Sequence, residues 1–145
     1  MRKIFEPESI VADLPGIIIL SHGPLAGSLI ESMKLICGEA ENVAAFELHE
    51  GDDPDEFCEA FSEAYRRMPE GTVFLVDLFG GSPFNQVTLY ALKNEMLPRA
   101  VTGVNLGMLL EAVNLRSDQG EDFYEKLEQA GRDAVVDIAK AMGSR

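Results

Sequence analysis

Short apolar runs and longer amphipathic stretches alternate along the chain. Four runs of mostly apolar residues are typical of buried β-strands, and they lie at Ile17–Leu20, Val43–Leu48, Val73–Leu78 and Ala100–Leu106. The stretches that follow them have apolar residues three or four positions apart and predict helices, at Pro24–Cys37, Pro54–Met68, Ser82–Leu92, Met108–Leu115 and Phe123–Met142. This alternation predicts an α/β fold with one doubly wound, mostly parallel sheet and helices on both faces. If the first strand pairs with both the second and the third, the strand order is 2-1-3-4.

The domain organisation is simple. The chain has 145 residues without an internal repeat or a flexible linker, which predicts a single domain over residues 16–145 after an N-terminal extension of residues 1–15. This extension lacks the features of a signal peptide, and no run is long enough to cross a membrane. Cys37 and Cys58 are predicted on buried helix faces as reduced thiols. We therefore expect a cytoplasmic protein.

The charge balance excludes some partners. The formal net charge is −13 and the basic residues are scattered, whereas nucleic-acid binding needs clustered lysines and arginines. DNA, RNA and anionic membranes are therefore not expected to bind.

The candidate chemistry lies where the predicted strands end. In an open parallel sheet, ligands bind beyond the carboxyl ends of the strands, at the point where the strand order reverses. The first strand is followed by Ser21 and His22, and the third contains Asp77 near its end. With the order 2-1-3-4, the reversal falls between these two strands. His22 and Asp77 are therefore expected to face each other.

The loop after the third strand favours an anion. Gly80 and Gly81 allow a sharp turn that exposes backbone N–H groups, and Ser82 is predicted as the N-cap of the next helix, with Pro83 at its first position. Such a helix N-terminus is a seat for a phosphate group. Together with His22 and Asp77, it suggests phosphohistidine chemistry, in which Asp77 fixes the imidazole tautomer and the loop binds phosphoryl oxygens.

Other interpretations of these residues are simpler. A histidine after a strand is more often a plain surface residue, Asp77 could merely cap its loop, and a Gly-Gly-Ser-Pro segment is frequently just a turn. His49 lies beside several acidic residues, but acidic side chains before a helix complement its dipole. We therefore expect neither a metal ion nor a cofactor.

Four segments resemble the IIA component of the mannose-family sugar phosphotransferase system (PTS). They are Ile-Ile-Leu-Ser-His-Gly-Pro-Leu-Ala at 18–26, Gly-Glu-Ala-Glu-Asn-Val at 38–43, Phe-Leu-Val-Asp-Leu-Phe-Gly-Gly-Ser-Pro-Phe-Asn at 74–85 and Gly-Val-Asn-Leu-Gly-Met-Leu at 103–109. The similarity runs from about Gly16 to Lys140. It implies a phosphocarrier that accepts phosphate from phospho-HPr and passes it to a histidine of a IIB protein.

The resemblance also implies roles for single residues. The phosphorylated histidine matches His22, the aspartate that orients it matches Asp77, and the phosphate loop matches Gly81 and Ser82, with Ser21 as a further contact. Family members form homodimers that exchange an antiparallel edge strand. That strand would fall near residues 134–139, where the periodicity predicts helix.

Two features depart from the family and three alternatives remain. Residues 1–15 precede the usual start and are expected to be a disordered arm or to cover a neighbouring subunit, and no IIB domain follows in this chain. The alternatives are the phosphotransfer subunit of a dihydroxyacetone kinase, a receiver domain phosphorylated on Asp77, and a passive flavin or nucleotide module. A receiver needs acidic residues at the tip that holds Ser21 and His22, and the loop after the third strand is longer than in the kinase subunit.

Overall fold

A computed structural model describes residues 1–143 of the chain. Its sheet has five strands in the order β1-β3-β2-β4-β5, where β1 is antiparallel to β3 and the other pairs are parallel. The strands are β1 (Arg2–Ile4), β2 (Ile17–His22), β3 (Val43–Leu48), β4 (Val73–Val76) and β5 (Ala100–Thr102). The helices are α1 (Leu25–Cys37), α2 (Pro54–Arg67), α3 (Ser82–Lys93), α4 (Leu106–Leu115), α5 (Phe123–Asp133) and α6 (Ile138–Ala141), with a 3-10 turn at Pro7–Ser9. The predicted fold class and the order of the four parallel strands are confirmed.

The side-chain alternation of β2 divides the core into two layers. Ile17 and Ile19 pack into the layer covered by α1, α4 and α5, whereas Ile18 and Leu20 pack into the layer covered by α2 and α3. All four are fully buried, which explains why a strand inside a parallel sheet is apolar on both faces. β2 and β4 pair in parallel, from Ile17 opposite Val73 to Leu20 opposite Val76, so their carboxyl ends lie side by side.

Residues 2–4 of the N-terminal extension form a strand of the sheet, so the expectation of a disordered arm was wrong, whereas a cover for a neighbouring subunit stays a prediction. Arg2 is opposite Glu47 of β3, and the pairing continues to Ile4 opposite Ala45. Asn42 holds the rest of the extension, since its amide nitrogen donates to the carbonyls of Val11 and Leu14. The antiparallel strand of this sheet therefore comes from the N-terminus.

The last predicted helix is interrupted. α5 ends at Asp133, and α6 begins only at Ile138, because the Asp137 side chain accepts the Lys140 N–H and caps a new helix start. Val135 and Val136 between the helices are 80% and 58% exposed. Residues 134–139 are thus neither a continuous helix nor a strand paired within this chain.

The cysteine prediction was also wrong in part. Cys37 is exposed and Cys58 is half-buried. Cys37 lies in the last turn of α1, where Leu35 is 90% exposed, so this turn lies outside the packed layer.

Candidate functional site

His22 and Asp77 lie together at the carboxyl ends of β2 and β4. The His22 Nδ1 atom is 2.8 Å from Asp77 Oδ2, and the backbone N–H of His22 donates to the same oxygen at 2.8 Å. The His22 side chain is 47% exposed, whereas that of Asp77 is 10% exposed. A mostly buried carboxylate therefore fixes both the backbone and the ring of an accessible histidine, at the reversal of strand order where the sequence predicted it.

The contact with Asp77 determines which ring nitrogen is reactive. An ionised carboxylate only accepts hydrogen bonds, so Nδ1 of the neutral imidazole carries the proton. The lone pair then belongs to Nε2, which points away from Asp77. This arrangement presents a nucleophilic nitrogen in a fixed tautomer.

Gly81 lies directly against the imidazole. A Cβ atom added to Gly81 would be 2.5 Å from Cε1 and 3.1 Å from Nε2 of His22, so only a glycine allows this approach. The preceding Gly80 has a φ of +85°, which an L-residue rarely adopts. The two glycines thus bring the loop backbone next to the lone pair on Nε2.

The same loop opens α3. The N-cap is Gly81 and no side chain caps the helix, so Ser82 is the first helical residue and its prediction as the N-cap was wrong. The first N–H groups of a helix have no partner within it, and the helix dipole makes this end positive. The N-terminus of α3 therefore supplies an anion seat beside Nε2 of His22.

Ser21 has a different role from the predicted one. It is fully buried, its hydroxyl donates to the Gly23 carbonyl at 3.0 Å, and its oxygen accepts the Ala26 N–H at 2.9 Å. Ser21 thus helps to cap α1. The prediction that it contacts phosphate is not supported.

His49 lies apart from this site, on the other face of the sheet. Its Nε2 atom is 2.9 Å from Oε1 of Glu47, which packs against α1. Its neighbour Asp52 accepts the backbone N–H of His49, and Asp53 caps α2 by accepting the Asp55 N–H. Within residues 1–143, no three histidine, cysteine or acidic side chains converge to hold a metal ion.

Two features of the site region were not predicted from sequence. Glu47 is 1% exposed, and the signal for it was a single carboxylate inside an otherwise apolar strand. Phe79 is 73% exposed and the centre of its ring lies 4.7 Å from that of Phe84, which places an aromatic pair beside the loop of Gly80 and Gly81. No helix within residues 1–143 has the length and apolar character needed to cross a membrane.

Asp77 is not arranged as a phosphorylation site. Its Oδ2 atom already accepts two hydrogen bonds from His22, and its Oδ1 atom is buried without a partner among residues 1–143. The neighbouring tip holds Ser21 and His22 instead of the acidic pair that would bind magnesium. The receiver alternative is therefore not favoured.

Comparison with known proteins gives a consistent result. A family model described as "PTS system fructose IIA component" matches residues 16–130, starting where the N-terminal extension ends. The "PTS system fructose-specific EIIA component" of Bacillus subtilis is 35% identical over 102 residues, which are 69% of each chain. The "PTS system mannose-specific EIIAB component" of Escherichia coli K12 is 29% identical over 82% of this chain, which spans only 38% of that protein's length.

Solved structures agree with this result. EIIA of Streptococcus agalactiae superposes with a TM-score of 0.80 at 26% identity, covering 88% of this chain and 99% of that one. The mannose/sorbose specific IIA subunit from Enterococcus faecalis gives a TM-score of 0.75 at 27% identity, over 86% and 94% of the two chains.

Proposed function

The chain belongs to the mannose-family IIA components of the sugar phosphotransferase system, which are phosphotransferases with a phosphocarrier role, and we propose that it carries the phosphoryl group on Nε2 of His22. The observation that carries this proposal is the 2.8 Å contact between Nδ1 and Asp77 Oδ2. That contact leaves Nε2 as the accessible nucleophile.

The transfer step follows from this geometry. The lone pair on Nε2 attacks the phosphorus of a donor phosphohistidine, the new N–P bond forms in line with the breaking one, and the donor nitrogen keeps the electron pair of the broken bond. His22 retains the proton on Nδ1, so the phosphorylated ring gains positive charge. The Asp77 carboxylate stabilises this charge at hydrogen-bond distance.

The loop supplies the second part of the mechanism. During transfer the phosphoryl oxygens need hydrogen-bond donors that are already oriented. Gly80 shapes the turn, Gly81 lies against the ring, and the backbone and hydroxyl of Ser82 are at the start of α3 beside Nε2. These groups are the proposed phosphate contacts. The transfer step as proposed uses no metal ion or cofactor.

The proposed partners are the proteins that donate the phosphoryl group to His22 and accept it from His22. Phospho-HPr would donate the phosphoryl group in the cytoplasm, and a histidine of a separate IIB protein would accept it for sugar uptake with phosphorylation. Leu78 and Phe79 beside the site are 57% and 73% exposed, which suits contact with a protein surface. No observation favours the dihydroxyacetone kinase subunit or the nucleotide module.

A homodimer is also proposed. Among residues 1–143, β5 pairs only with β4 and is an edge of the sheet. A groove of about 750 Å³ runs beside it, lined by residues that include Phe79, Thr102 and Val135. The exposed Val135 and Val136 have the β-branched side chains that strands favour. In this proposal, residues 134–139 of each subunit pair with β5 of the other. A mass measurement by light scattering on the wild type and on Val136→Asp tests it, with a dimer expected only for the wild type.

The experiment that tests the carrier function is phosphoryl transfer from phosphoenolpyruvate through the general phosphotransferase proteins. A label on His22 that survives base and is lost in acid is expected for phosphohistidine. A label that is lost in base would indicate that a carboxylate, and not His22, is phosphorylated. The absence of any label would indicate that the protein only binds a ligand.

A further inference from the structure

Glu47 is a buried charge that the transfer step does not use. Its side chain is 1% exposed, and its carboxylate contacts groups from α1, from β1 and from the loop after β3. Oε2 accepts the Gly27 N–H of α1 at 3.1 Å and the Arg2 guanidinium of β1 at 3.3 Å, while Oε1 is 2.9 Å from the His49 ring. Burying a carboxylate is strongly unfavourable unless its charge is compensated, so the presence of Glu47 at this buried position requires an explanation.

The start of α1 provides one. This helix begins at Leu25, three residues after His22, and its N-cap Pro24 offers no side-chain hydrogen bond. The first-turn N–H groups are satisfied from outside instead: Ser21 accepts from Ala26 and Glu47 accepts from Gly27. Strands β2 and β3 therefore supply the caps that the helix lacks.

Gly27 is adapted to this contact. A Cβ atom at Gly27 would be 2.5 Å from Oε2 of Glu47 and 3.4 Å from the Arg2 guanidinium. An alanine there would push the carboxylate away from the helix. The close approach of Glu47 thus depends on a glycine in the first turn of α1.

The cap also lies next to the histidine in the sheet. His22 is opposite Leu48, the residue after Glu47, and the Gly23 N–H donates to the Leu48 carbonyl at 2.9 Å. The segment from His22 to Pro24 is therefore tied to β3 at one end and to the Glu47-capped helix at the other. A shift of the cap would be transmitted to the turn that contains the imidazole.

We propose that Glu47 is a positioning residue for phosphoryl transfer, and that the N-terminal strand completes the site through Arg2. This inference rests on the proposed role of His22. Glu47 holds the first turn of α1 against β3, and this in turn fixes the His22 backbone relative to Asp77 and Gly81. Arg2 neutralises the carboxylate, and it precedes residues 16–130, which the family model matches. In this proposal the N-terminal extension therefore contributes to the rate of phosphoryl transfer.

The test compares the transfer kinetics of Glu47→Gln and Arg2→Met with the wild type. Misplacing a reacting group by a fraction of an ångström lowers the rate without weakening binding. We expect kcat to fall about tenfold for Glu47→Gln and about threefold for Arg2→Met, with the KM for phospho-HPr nearly constant. Arg67→Met is the matched control, because Arg67 is equally exposed and is paired with Glu63 within α2. It should leave both constants unchanged.

A double-mutant cycle and a spectrum separate positioning from a general loss of structure. If Glu47 acts through Gly27, then Gly27→Ala lowers kcat in the wild type but has little further effect in Glu47→Gln. The chain has only two histidines, so the ring nitrogen signals of His22 can be followed by NMR and should shift in Arg2→Met but not in Arg67→Met.

If Glu47→Gln does not fold, Arg2→Met and Gly27→Ala decide the question. Wild-type kcat and an unchanged His22 signal in folded variants of Arg2 and Gly27 would overturn the inference. Failure of the proposed function is recognised separately, because His22→Ala would then still accept the label.

Discussion

Replacing Gly81 with alanine tests how closely the loop of Gly80 and Gly81 must approach the imidazole. The φ and ψ of Gly81 are −82° and 176°, an extended conformation that any L-residue adopts. The substitution therefore introduces no backbone strain, and the loss of a glycine N-cap lowers the free energy of unfolding by less than about 1 kcal/mol. Any larger effect must come from the new methyl group.

The size of the catalytic effect follows from the distances. The added Cβ would be 2.5 Å from Cε1 of His22, whereas carbon atoms in contact prefer about 3.5 Å or more. Either the ring or the loop must therefore move by about 1 Å. The ring is held by Asp77 through Nδ1, so the movement separates Nε2 from the start of α3 or strains the contact with Asp77. A misplacement of this size lowers the transfer rate about a hundredfold.

The assay is a rapid-quench measurement of transfer from phospho-HPr, combined with unfolding in urea. Gly51→Ala is the matched control, because Gly51 lies outside the site, has a φ of +85° and has no atom within 4 Å of an added Cβ. It should lower the free energy of unfolding by about 1 kcal/mol through backbone strain and affect the rate much less. A wild-type transfer rate in stable Gly81→Ala protein would refute the argument that Gly81 seats the ring.

Three further predictions concern the site and the thiols. His22→Ala should abolish phosphorylation while the free energy of unfolding stays within about 1 kcal/mol of wild type, because the ring is half-exposed; labelling of the folded variant would reject His22 as the carrier. Asp77→Asn should slow transfer about a hundredfold without removing the acceptor, because the amide cannot stabilise the charged ring as a carboxylate does; unchanged single-turnover rates would reduce Asp77 to a loop residue. Burial raises the pKa of the Cys58 thiol, so less of it is thiolate near neutral pH and iodoacetamide should modify the exposed Cys37 first; equal rates in a mass-spectrometric time course would contradict this.

The sequence was sufficient for the central sheet and the paired site residues because both depend on strong local patterns. The aliphatic run from Ile17 to Leu20 can only be buried on both faces, and parallel strands place their carboxyl ends at one edge. The pairing of His22 with Asp77 follows from that geometry. Ser21 could have been assigned correctly from the same pattern, since the two-residue period of a strand puts it on the face of Ile17 and Ile19, towards α1.

The remaining features depend on contacts that no local pattern encodes. The strand Arg2–Ile4 has three residues and little apolar character, so only its pairing with β3 makes it a strand. Glu47 looks like an ordinary polar residue until Arg2 and Gly27 are brought to it from distant parts of the chain. The break after Asp133 was missed because the apolar period continues through it, while the cap provided by Asp137 competes with helix continuation.

The N-terminal strand affects how copies of this chain can assemble by strand pairing at the edges of the sheet. A sheet with two open edges can pair with another chain at each edge and form an open-ended polymer. Here β1 occupies the β3 side, and it is short, with Arg2 and Lys3 exposed, features that discourage further strand addition. The β5 side is therefore the edge better suited to pairing between chains, and the reciprocal exchange proposed above, which uses only this edge, would close at two subunits.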